Sequence, residues 1–200
     1  MTTIWRASLF LFAAFAVSSL AACGPESEKF RSTDITGASF GRELALTGHD
    51  GKPRTLADFR GRFVVLFFGY THCPDVCPTT LVDMAEAMKK LGGDAARVQV
   101  LFVTVDPERD TPEVLAKYVP AFDPGFLGLS GDLAATQRTA QEFKIFYEKR
   151  AGSTPSAYTV DHSAQSYVID PQGRLRLFVR PERIAPDLAE DLRALLKEAG

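Results

Sequence analysis

A chain of 200 residues, 46% hydrophobic and 24% charged, has the material for one globular domain with appendages. Its formal charge of -2 supplies no basic field, which argues against nucleic acid as a partner. Three cysteines are too few for a disulfide-stapled scaffold, and a core that draws on 15 phenylalanines does not need one.

Residues 1–22 read as a secretory signal. Arg6 gives a short positive region, an apolar stretch runs over 9–17, and small residues lead to Leu20-Ala21-Ala22-Cys23. The apolar stretch is shorter than the ~18 residues of a membrane-spanning helix. The tetrapeptide resembles the bacterial lipoprotein signal, in which the cysteine is acylated and becomes the new N-terminus; an uncleaved anchor helix is the alternative. Either reading puts the globular part at a membrane outside the cytoplasm. Lipid on Cys23 leaves Cys73 and Cys77 as the free thiols of the folded domain. Residues 23–40 are polar and unpatterned and are expected to form a tether, with the domain over 41–200.

Within the domain, 44–47 is a candidate strand followed by the turn signal Asp50-Gly51. The run 63–69 is apolar without alternation, as in a strand buried on both faces. Leu81, Met84, Ala85, Met88 and Leu91 then recur at helical spacing, and Gly92-Gly93 ends that helix. A second buried strand covers 98–105. After an acidic turn at 106–110, Thr111 caps a helix with Pro112 at its first position and Leu115 and Tyr118 along it. A further helix is expected over 132–143, and a hairpin from 146–147 and 157–160 around Gly152 and Pro155. Strand 165–170, a turn at 171–173 and strand 175–179 pair antiparallel, and 186–198 closes the chain as a helix. Strand–helix alternation gives parallel pairing by right-handed crossovers, and the late hairpin adds an antiparallel edge. The expected fold class is α/β, a central mixed sheet flanked by helices on both faces.

The chemistry concentrates in Cys73-Pro74-Asp75-Val76-Cys77-Pro78, at the carboxyl end of the central strand, where α/β sheets bind their ligands. On a helix, positions i and i+4 share one face about 5–6 Å apart, so the two sulfurs can share a metal ion or close a disulfide. Pro74 and Pro78 stiffen the loop, and the free N–H groups of the following helix lower a nearby thiol pKa. His162 precedes a strand expected beside the central one, so its side chain points to the cysteine end of the sheet. Two thiolates and one imidazole suit Cu(I), with Cu(II) accessible through a fourth ligand; a surface or capping histidine is the alternative. Asp161 or Ser163 is placed to orient the ring. His72 competes as the imidazole, but strand geometry points it away from Cys73. Asp75 and His49 read as turn residues, and the acidic turn 106–110 as either helix capping or a docking surface.

Phe68-Gly69-Tyr70-Thr71-His72-Cys73-Pro74-Asp75-Val76-Cys77-Pro78, the segment from Val105 to Pro112, and Asp161-His162-Ser163 together resemble the Sco/SenC family of copper proteins, in order and over roughly residues 40–199. The resemblance implies a thioredoxin-like fold and copper ligation by Cys73, Cys77 and His162. It also implies one copper per chain, as Cu(I) or Cu(II), delivered to the dinuclear copper site of cytochrome c oxidase subunit II or to another copper protein. A bacterial cell-envelope location follows, on the periplasmic side, with the membrane held through the N-terminal lipid. Enzymes of the wider thioredoxin class have two residues between the cysteines and a proline opposite them. This chain has three, and His162-Ser163-Ala164 in the matching place, which favours metal binding over general oxidoreductase chemistry. The rival readings are a thiol–disulfide oxidoreductase using Cys73 and Cys77, with peroxide reduction as a variant, and a copper or redox sensor.

Overall fold

The computed structural model describes residues 29–154 and 157–200, so the signal segment, Cys23 and its lipidation lie outside the described residues. In chain order the elements are β1 (Thr33–Asp34), β2 (Ala45–Gly48), β3 (Pro53–Thr55), β4 (Phe63–Gly69), α1 (Val76–Leu91), β5 (Val98–Thr104), α2 (Pro112–Tyr118), β6 (Leu127–Ser130), α3 (Leu133–Glu142), β7 (Tyr147–Arg150), β8 (Thr159–His162), β9 (Ser166–Ile169), β10 (Leu175–Val179) and α4 (Pro181–Glu198). One sheet has the order β1-β10-β9-β4-β5-β6-β2-β3, and β7 with β8 forms a separate two-stranded sheet. β4, β5 and β6 run parallel, β9 lies antiparallel against β4, and β10 against β9. This is the expected mixed α/β sheet.

β4 and β5 are buried along their whole length, which is why both read as unbroken apolar runs. Alternation of side chains splits their aromatics between two faces. Phe67 and Phe102 meet edge to face on the side where α1 and α4 pack together, and Phe68, Phe143 and Tyr167 form the aromatic cluster of the other side. Gly92 ends α1 with φ +61°, a conformation that favours glycine, as Gly92-Gly93 predicts. Thr111 and Asp132 cap α2 and α3 by accepting from the Val114 and Ala135 amides.

Several expectations are corrected. Residues 29–40, read as part of a tether, pack onto the domain. Phe30 is buried, β1 pairs with β10, and the Asp191 carboxylate accepts from the Arg31 and Ser32 amides at 2.7 and 2.9 Å. Two isolated phenylalanines, Phe30 and Phe40, and a two-residue strand leave no periodicity to read. α4 starts at Pro181, and Pro186 lies inside it. Pro181 fills the favoured first position that the sequence reading assigns to Pro186. β3 and β6 had no assignment: each is short, and β6 carries Gly128.

Candidate metal centre

β4 ends at Gly69, and the chain turns through Tyr70-Thr71-His72-Cys73 before α1 begins at Val76. The two cysteines therefore do not share a helical face. Cys73 stands ahead of the helix and Cys77 sits buried in its first turn. The Cys77 amide donates to Cys73 Sγ at 3.4 Å, so the sulfur takes the position of a capping acceptor. The N-cap residue itself is Asp75, whose side chain makes no cap bond.

The two thiols are electrically unlike. The hydrogen bond from Cys77, joined by the Asp75 and Cys77 amides and opposed by partial burial, pulls Cys73 down to about 5. The same hydrogen bond and burial push the Cys77 thiol well up, with the Tyr70 amide acting the other way. The metal-free site is thus a half-exposed Cys73 thiolate beside a buried Cys77 thiol.

His162 arrives from the other side of the sheet centre. β9 pairs with β4 so that Ser166 lies opposite Phe67, and the residues just before β9 fall at the cysteine end of β4. His162 closes β8 and places Nε2 3.4 Å from Cys77 Sγ, across 85 positions of sequence. Nδ1 lies 3.0 Å from the Ser163 carbonyl oxygen, which only accepts. That assigns the proton to Nδ1 and leaves the Nε2 lone pair facing the sulfurs. Tyr70 and Phe67 hold the ring edge-on, with centroids at 5.8 and 6.5 Å.

The ligand atoms of Cys73, Cys77 and His162 all lie within 4.8 Å of one another. Ligands about 2.3 Å (sulfur) and about 2.0 Å (nitrogen) from a shared ion stand roughly 4 Å apart in a trigonal set. The three residues therefore fit a soft, low-coordinate metal ion with small displacements. Two thiolates with one neutral imidazole are a donor set that copper accepts.

The remaining candidates stand elsewhere. His72 is exposed, 3.1 Å from the Thr71 hydroxyl and 4.0 Å from Asp110, and is absent from the cluster. His49 Nδ1 accepts from the Gly128 amide at 3.0 Å and helps join β2 to β6. Asp161 pairs with Arg150, so of His162's two chain neighbours it is Ser163 that orients the ring, through its carbonyl. Asp106 and Asp110 of the acidic turn are fully buried and so act as internal clamps, while Glu108 stays exposed. Asp110 accepts from the Thr71 amide and from the Thr71 and Thr104 hydroxyls at 3.0, 2.6 and 2.6 Å, while burial pushes its carboxyl up. Asp106 accepts from the Tyr158 hydroxyl at 2.7 Å and from Arg109. Tyr70 and Arg109 lie in the segments that carry the family resemblance but show no ligand chemistry of their own, and Tyr158 reads only as a hairpin residue.

A family model described as SCO1/SenC matches residues 32–197. The mouse (Mus musculus) protein "SCO2 homolog, mitochondrial" is 37% identical over 153 residues, which cover 76% of this chain and 60% of that one. The chain thus spans about 60% of the length of that curated relative. Among solved structures, apo Sco1 from Thermus thermophilus is 42% identical with a TM-score of 0.74, covering 86% of this chain and 97% of the other. Bradyrhizobium japonicum ScoI with copper bound is 38% identical with a TM-score of 0.69, covering 76% and 99%.

Proposed function

This chain belongs to the SCO1/SenC family, and from that premise we propose that it is a membrane-tethered copper carrier. It binds one copper ion through Cys73, Cys77 and His162 and passes it by ligand exchange to a copper site of cytochrome c oxidase, subunit II or another copper protein. The observation that carries this reading is the meeting of three soft donors within 4.8 Å from two distant segments. A related protein, ScoI of Bradyrhizobium japonicum, is described with copper bound. The Cys73 thiolate offers a first ligand without a proton to displace, and Cys77 releases its proton on metal binding. A Cys73–Cys77 disulfide has no thiolate to offer, so redox state gates loading. Anchoring is through lipid on Cys23 at the periplasmic face of a bacterial membrane, supported by Leu20-Ala21-Ala22-Cys23. Among the described residues no helix is long and apolar enough to cross a membrane.

The test is a copper titration of anaerobically reduced protein, wild type and Cys73→Ser, Cys77→Ser and His162→Ala. Wild type takes up one Cu(I) per chain. Each cysteine variant loses tight binding, and His162→Ala releases copper at least about tenfold faster. Wild-type retention in His162→Ala removes the histidine from the ligand set.

A second reading, thiol–disulfide exchange, is favoured by one observation: a half-exposed, low-pKa Cys73 beside a buried Cys77. The Cys73 thiolate attacks a partner disulfide, forming a mixed disulfide and expelling one partner thiolate. Cys77, as it loses its proton, then attacks the Cys73 sulfur and releases the second partner thiol, leaving the Cys73–Cys77 disulfide. In this reading His162→Ala still reduces one partner disulfide per reduced chain, and turns over when an added dithiol reductant reopens the Cys73–Cys77 disulfide.

A further inference from the structure

His162 is carried by an arm that the main sheet does not hold. β7 and β8 pair only with each other, so no ladder hydrogen bond joins His162 to β4 or β9. Side chains do that work, and several of them converge on the turn after β5. Arg109 lies with its guanidinium centre 3.5 Å from the Tyr158 ring centroid and donates from Nη1 to the Tyr158 carbonyl at 2.9 Å. Its Nε donates to buried Asp106, which also accepts from the Tyr158 hydroxyl. Tyr158 thus has its ring, its hydroxyl and its carbonyl bound by two residues of one turn, one residue before β8 begins. Glu108 of the same turn pairs with Lys149 on β7, an exposed contact of small worth.

The opposite side of the turn grips the cysteine loop. Asp110 accepts from the Thr71 amide and hydroxyl, two residues before Cys73. Arg109 also lies 5.8 Å from the ring of Tyr70, which itself stands edge-on to His162. One five-residue turn therefore binds both segments that bring ligands to the site. A stacked guanidinium that donates at two positions has the fixed planar geometry such a joint needs, which lysine lacks.

We propose that the turn 106–110 is the latch that holds the histidine arm against the cysteine loop, with Arg109 and Tyr158 as positioning residues that set copper retention without touching the ion. This rests on the ligand set proposed above.

The experiment is a double-mutant cycle read by copper dissociation rate and by amide hydrogen exchange. The proteins are wild type, Arg109→Ala, Tyr158→Phe, His162→Ala and the Arg109→Ala/His162→Ala pair. Arg109→Ala releases copper about tenfold faster than wild type, and Tyr158→Phe shifts the rate in the same direction by less. In the His162→Ala background, Arg109→Ala adds nothing, because the ligand through which it acts is gone. In metal-free Arg109→Ala, the amides of 159–162 exchange faster while those of β9 do not. Wild-type release from both Arg109→Ala and Tyr158→Phe overturns the latch, as does an equal loss on both sides of the cycle, which marks a general structural effect. If His162→Ala itself retains copper normally, the ligand assignment falls and exchange alone decides. Unchanged protection of 159–162 in Arg109→Ala then overturns the latch.

Discussion

Gly69 and Cys77 occupy each other's space: a Cβ placed on Gly69 would lie 2.9 Å from the Cys77 sulfur and 2.9 Å from Phe102 Cε2. The last residue of β4 is thus the floor on which the buried ligand rests. It has to be glycine because the first turn of α1 approaches the strand end so closely. Gly69→Ala is expected to destabilise the fold by about 1–3 kcal/mol through overpacking, and to weaken copper uptake by displacing the sulfur. Denaturant unfolding and a copper titration of the same variant measure the two effects. An alanine protein with wild-type values in both would mean that the sulfur and the ring relax freely.

The asymmetry of the thiols has a pH signature. Thiolate is the nucleophile, and Cys73 is pulled down to about 5, so alkylation of reduced, metal-free protein accelerates as pH rises through about 5 and levels off below neutrality. Cys77, buried and pushed upward, stays unmodified over that range. Below that pH, protons compete with copper for Cys73 and loading falls. Mass spectrometry of alkylated peptides locates the reacting sulfur. An alkylation profile with its midpoint near an ordinary thiol value would contradict the hydrogen-bonded thiolate.

The N-terminal segment depends on one carboxylate. Asp191 is buried in α4 and takes both the Arg31 and the Ser32 amides. Asp191→Ala leaves two inward-facing donors without their acceptor, at a cost of about 1–3 kcal/mol. Hydrogen exchange at 31–34 rises first, ahead of any loss at β4. Unaltered protection there would show that Phe30 packing alone retains the segment.

Asp132 offers a local control at a helix cap outside the ligand cluster. Its side chain accepts from the Ala135 amide at 2.7 Å at the start of α3. Asp132→Ala is expected to lower unfolding free energy by about 1 kcal/mol and to leave copper binding unchanged. A change in copper retention would reveal coupling between α3 and the site.

The large aromatics of the core give the steepest effects. Phe68 is fully buried against Phe143 on the face opposite α1. Phe68→Ala is expected to cost about 3–5 kcal/mol by calorimetry or denaturant unfolding. A loss below about 1 kcal/mol would mean that the site collapses around the deletion.

Much of this protein is written in short-range pattern. The unbroken apolar run of β4, the helical spacing of Leu81, Met84 and Met88, and Thr111 followed by Pro112 each announce an element within a dozen residues. The sulfur pair announces its chemistry in the same way, because residue type and spacing alone limit what two cysteines do. Other features depend on register between segments far apart in the chain. That His162 offers Nε2 and keeps its proton on Nδ1 follows from the Ser163 carbonyl and from the pairing of β9 with β4. That Asp106 and Asp110 are buried clamps follows from Thr71 and Tyr158, 39 and 52 positions away. The docking of Phe30 and of the Ser32 amide follows from Asp191, 159 positions beyond Ser32. Local periodicity carries which strand or helix a residue joins. Burial and tautomer are set by neighbours that only the closed sheet brings near, and so the tertiary structure alone decided them.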